Sequence, residues 1–250
     1  MEQIHLHDLT PVVAQRIGPF FHEILEGYPR NVHSLHLVGS ALTPDFREKT
    51  SVIHSVIVLH NMDFSFIRFL APLGRKYRKK GVAAPLVLTP DSIRDSLDVF
   101  PVEFHDFRLI HRTVWGEDIF SGLNIDRRYL RLQCEREIKT RLVGLRQSYI
   151  SSLGEKGRLT DILSQSIVGC MPLLRAVTRL SGKEPPVKRH EVVLRVEEIS
   201  SLKADVFEEL LQLRAGVLKP SREELQRLYE EYHALLEKIG GLVDALQAGE

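Results

Sequence analysis

Cysteine is nearly absent from this 250-residue chain, and the two present, Cys134 and Cys170, lie far apart in helix-like segments. That excludes a CxxC metal site and a disulfide framework and leaves two buried thiols. Long hydrophobic runs are also missing. No apolar stretch approaches the roughly 18 residues of a membrane span, so no membrane is expected as a partner. An excess of charge of one sign is lacking too: 34 Lys and Arg stand against 33 Asp and Glu. There is thus no strong nucleic-acid signal of the kind a basic coating protein carries. The start, MEQIHLHDLTP, has no basic segment leading into an apolar one, and a cytoplasmic location is expected.

What is present suits a soluble globular chain, with 43% hydrophobic and 27% charged residues. The length fits one large domain or two modest ones. A local basic run, GRKYRKKG at 74–81, reads as a solvated helix end rather than a polyanion site, because cations are favoured at a helix C-terminus.

Thr10 and Pro11 open a helix whose apolar positions, Val12 through Leu25, recur at three- and four-residue steps, and Gly27 ends it. SLHLVGS then alternates as a strand, and SVIHSVIVLH gives a second strand from Ser51 to about Leu59. A helix over 64–80, a strand at APLVLT, a short helix capped near Asp91 and a fourth strand at LDVFPVEFHDF follow. Strands alternating with helices predict an α/β (α+β) domain with a small mixed sheet over 1–125. From Asp126 the period turns helical, with Leu130, Cys134, Ile138, Leu142, Leu145 and Tyr149 on one stripe. Ser221 and Glu224 form a capping box before a long amphipathic helix, so 126–250 reads as an all-α helical bundle domain.

Between the first two strands lies a Gly-Ser corner, Gly39 and Ser40. A glycine there lets the backbone turn sharply toward a ligand, and the serine hydroxyl can bond a phosphate oxygen. Gly39-Ser40, then Ser51-Val52-Ile53-His54 on the next strand, resembles the DNA polymerase beta type nucleotidyltransferase superfamily, whose signature is GS followed by a strand reading [ST]-D-x-D. The helical domain that follows is similar to the kanamycin nucleotidyltransferase group. Segments such as FLAPLGRKYRKKGVAAPLVLTP, VWGEDIF and LRLQCEREIKTRLVGLRQSYISSLG extend the likeness, to nucleotidyltransferase-like proteins of undefined role, over nearly the whole chain. In VWGEDIF the resemblance implies an inter-domain turn.

The resemblance implies a nucleoside triphosphate with Mg as cofactor, held by two carboxylates at i and i+2 on one strand and a third from a neighbouring strand. Here Val52 and His54 stand at the first two positions. Valine offers no ligand atom, and an imidazole does not suit oxygen-seeking magnesium. Glu103 is the one catalytic candidate that remains, with Asp106 behind it. The chain therefore reads as a branch with a degenerate metal-binding motif. Gly39, Ser40 and Ser51 are its expected nucleotide-binding residues. If Glu103 and His105 share a strand face across from His54, those three form a candidate two-histidine, one-carboxylate metal site.

Three functions follow in order. The first is a catalytically degenerate nucleotidyltransferase-fold protein, a pseudoenzyme that keeps a nucleotide- or phosphate-binding cleft at the Gly-Ser corner. The second is an active metal-dependent nucleotidyltransferase acting on an unknown acceptor, with Glu103, Asp106, Glu135 or Glu137 as non-standard ligands. The third is a non-enzymatic interaction protein that binds a protein partner or forms a homodimer through the helix over 221–246.

Overall fold

The computed structural model describes residues 4–246, so the first three residues of the amino-terminal stretch lie outside it. Two compact units form, Met1–Leu97 with Asp106–Asn124, and Asp98–His105 with Ile125–Glu250. The chain thus passes into the second unit and back before its final crossing near residue 125.

In the first unit, helix α1 (Pro11–Gly27) begins on a proline whose fixed φ suits a first turn, and it turns Val13, Ile17, Phe20, Phe21 and Ile24 inward. Its last residue has no side chain for a steric reason. A Cβ on Gly27 would lie 2.6 Å from the ring of Phe69, which belongs to α2 (Phe64–Arg78). Asp63 caps α2 by accepting from the Ser65 amide, while Arg75, Lys76 and Arg78 occupy its last turn.

The sheet contains β1 (Val32–Val38), β2 (His54–Leu59), β3 (Leu86–Leu88) and β4 (His111–Gly116). Their order is β3-β2-β1-β4, with β1 antiparallel to both β2 and β4, and β2 parallel to β3. The pleat sorts the side chains. Leu35, Leu37, Ile57 and Leu59 join the inward faces of α1 and α2 in one apolar core. Ser34, His36 and Val38 alternate with them and project from the opposite face.

One expectation is corrected. LDVFPVEFHDF is not a strand: its centre is a helix, α4 (Pro101–Leu109), following the short α3 (Pro90–Arg94). The Phe104 amide donates to the Phe100 carbonyl, four residues back. The alternation of Val102 and Phe104 was too short to distinguish a strand from a helix buried on more than one side. Pro101 opens the helix, where its missing N–H costs nothing, and Glu103 and Arg108 sit at the ends the helix dipole favours. The fourth strand lies one element later, at His111–Gly116.

The second unit holds α5 (Arg127–Ser152), α6 (Lys156–Ser166), α7 (Cys170–Leu180), α8 (Arg189–Ser200), α9 (Asp205–Arg214) and α10 (Arg222–Ala245). Leu130, Cys134, Ile138, Leu142 and Leu145 of α5 meet Leu228, Tyr232, Leu235 and Ile239 of α10 in its core. Ser221 and Glu224 close the expected capping box. Both cysteines are free and buried. No described helix is long and apolar enough to cross a membrane.

Candidate functional site

The Gly-Ser corner follows directly from β1. Gly39 adopts φ +71, a left-handed conformation that other residues reach only with strain, and nothing lies within 4 Å of where its Cβ would be. The corner is therefore both tightly turned and open to approach. The Gly39 amide donates to the Ile110 carbonyl at 3.2 Å, and one turn of 3-10 helix, Gly39–Leu42, continues from it. The Ser40 carbonyl accepts from the Thr43 amide and hydroxyl, which pins the turn. The Ser40 hydroxyl itself makes no hydrogen bond among the described residues and remains available to a ligand.

The segment that enters β2 alternates in exposure and carries no carboxylate. Val52 is exposed, Ile53 buried, His54 exposed and Ser55 buried, so positions 52 and 54 present one side. Val38, the residue before the corner, pairs with His54 on β2 and with His111 on β4. Two imidazoles thus flank the corner. Although the His54 side chain reaches solvent, the protein packed around it pushes its pKa down, so it is neutral near pH 7.

Ser51, the third expected binding residue, is spent locally. Its hydroxyl accepts from the Arg47 amide at 2.9 Å, and its own amide donates to the Arg47 carbonyl at 2.8 Å. It closes the loop before β2.

Glu103 lies on α4 in the second unit rather than on a strand beside β2. Buried Gln133 accounts for it. The Gln133 side-chain amide donates to Glu103 and to Glu137, each at 2.8 Å, and its oxygen accepts from the Val102 amide at 2.8 Å. Glu103 and Glu137 are therefore members of a hub that ties the start of α4 to α5. Glu135 is held by Arg131 and Lys139, which lower its pKa. Asp106 is buried in the first unit. His105 does not share a strand face with Glu103, because two residues along a helix are about 200° apart. Among the described residues no three His, Cys, Asp or Glu side chains gather as a metal site.

A polar cluster that the sequence reading passed over lies on the sheet face of the corner. His36 is fully buried, with Nε2 2.8 Å from the Ser34 hydroxyl and Nδ1 2.9 Å from the Thr113 hydroxyl. Burial, and next the neighbouring His111, push its pKa down to about 3. Asp118 accepts from His111 Nε2 at 2.9 Å, from the Ser121 hydroxyl at 2.6 Å and from the Phe120 and Ser121 amides. Burial alone would raise its pKa, but these bonds bring it down to about 2. With Nε2–H committed to Asp118, the buried Nδ1 of His111 has no partner. The signal was present in the Glu-Asp of VWGEDIF, whose aspartate caps the turn after β4.

No protein-family model and no curated protein matches the sequence. Among solved structures, the chain is similar to the spectinomycin adenyltransferase AAD(9) from Enterococcus faecialis, determined with ATP and spectinomycin. The TM-score is 0.54 at 12% identity, over 90% of this chain and 99% of that one. The chain has an α+β nucleotidyltransferase-like fold, a small mixed sheet followed by helices.

Proposed function

We propose, on the premise of that fold, that this protein binds the phosphates of a nucleotide at Gly39 and Ser40 and does not carry out two-metal nucleotidyl transfer. One observation carries the reading: the corner is open and left-handed, while the two ligand positions beside it hold Val52 and His54. A phosphate needs a hydrogen-bond donor and close backbone approach; the Ser40 hydroxyl supplies the first and the open backbone at Gly39 the second. Two magnesium ions need several carboxylate oxygens, and this strand supplies none. The AAD(9) structure holds ATP, which supports a nucleoside triphosphate as the ligand class. The chain is then a pseudoenzyme within a kanamycin nucleotidyltransferase-like branch.

The test pairs binding with turnover. Fluorescent ATP, GTP, CTP and UTP analogues are titrated against the protein and against Gly39→Val, and pyrophosphate release is followed with magnesium or manganese. Binding of at least one nucleotide by the native chain, weakened about tenfold or more in Gly39→Val, without pyrophosphate release, is expected. Steady metal-dependent pyrophosphate release would overturn the loss of chemistry. Absence of binding by all four analogues would overturn the nucleotide site.

A further inference from the structure

The first unit carries a second concave surface, of about 720 Å³, at the start of β2 and the end of α2. Arg16 of α1, Lys49 from the loop before β2, Arg78 at the end of α2 and Lys79 and Lys80 just beyond it line the surface, together with Gln15, Thr50, Ser51 and Val52. The segments converge closely: a Cβ on Gly81 would lie 3.3 Å from Arg16 Nη1 and 3.8 Å from the Ser51 carbonyl. Glu48 is the single acid in the lining. Among the described residues none of the five cations makes an ion pair. Their neighbour Lys76 does, with Glu23, so pairing is available on this helix and these positions lack it. Lys80 also rests over the Tyr77 ring at 5.0 Å and acts on Glu23 through space.

We infer that this surface binds the phosphodiester backbone of a nucleic acid. Five unpaired cations from three segments, interleaved with hydroxyls and an amide, match a row of phosphates. A concave surface fits a linear polyanion and not the plane of a lipid bilayer. No aromatic side chain lines it, so bases have nothing to stack on and recognition is independent of sequence. The near-zero net charge of the chain confines this affinity to the patch, whose lining includes Ser51 and Val52 before β2 but neither Gly39 nor Ser40.

Fluorescence anisotropy with a labelled oligouridylate and a labelled duplex, at about 50 to 200 mM NaCl, tests it. Five phosphate contacts give a log–log salt slope of about −3.5 on the single strand, near a hundredfold loss of affinity over that range. Lys49→Glu, Lys79→Glu and Lys80→Glu combined should weaken binding at least tenfold, while Lys219→Glu in the second unit should not. Should the glutamate triple fail to fold, as judged by circular dichroism, the glutamine triple should still reduce the slope by about 2. The proposal is overturned by absence of binding at the lowest salt, by a triple variant that binds as the native chain does, or by preference for polyglutamate or phosphatidylserine vesicles over both oligonucleotides.

Discussion

His36 carries no charge at neutrality, and the consequence for stability has a definite sign. An unfolded histidine takes up a proton near 6.5, whereas folded His36 resists protonation until about 3. Its stabilising effect is therefore complete above 6.5 and is lost as pH falls from there toward 3, at about 1.4 kcal/mol per pH unit. Asp118 acts lower, since its depressed pKa stabilises the fold above the usual carboxylate range and fails only as pH falls through about 2. Thermal unfolding between about pH 7 and pH 5 isolates the histidines, and His36→Gln should flatten the dependence there. An unchanged slope would place the proton elsewhere. At the same scale, Gln133→Leu should cost about 1 to 3 kcal/mol, because it strands the Val102 amide and the Glu103 and Glu137 carboxylates. Urea denaturation measures it. The resemblance to the nucleotidyltransferase signature is what marks positions 52 and 54 as expected ligand positions, and Val52 and His54 were readable there as residues without a carboxylate. The roles of His36, Gln133 and Asp118 were not, since each depends on partners that only the folded backbone brings near.

Elements differ in how plainly they announce themselves. Helix α10 was legible because its capping box and its apolar stripe agree over more than six turns. Replacing Ser221 with alanine should cost about 1 kcal/mol in urea denaturation. Helix α4 misled because nine residues with alternating apolar positions fit either period. Strand β4 was hidden behind it, and its register depends on Gly116. That glycine has φ +75, and a Cβ there would sit 2.2 Å from the His33 carbonyl oxygen. Gly116→Ala should therefore cost about 3 kcal/mol or more and loosen the β1–β4 pairing, seen as faster amide exchange in Ser34 through Val38. At the entry to β2, the Val52→Asp, His54→Asp double variant places two carboxylates on one side of the chain. On the proposed reading the native chain gives no manganese-binding signal in electron paramagnetic resonance, whereas the double variant should give a measurable one.

For the whole molecule, an α/β layer followed by helices was legible from the shift from alternating to helical period, and the nucleotidyltransferase-like fold from the resemblance carried by Gly39-Ser40 and the segments after it. The route of the chain between its units was not, because Asp98–His105 joins the helical unit through the Gln133 hub rather than through any signal of its own. The fold places an open corner beside a strand that offers no carboxylate, and the proposed separation of binding from chemistry rests on these two facts. They bear on one number, the dependence of nucleotide affinity on magnesium. In a transferase site the metal bridges protein and triphosphate, so its removal weakens binding steeply. Calorimetric titration of the tightest-binding nucleoside triphosphate, in magnesium and again in excess chelator, measures this directly. Dissociation constants within about threefold of each other are expected. Binding that collapses on chelation would show that this chain still organises metal and would contradict the reading.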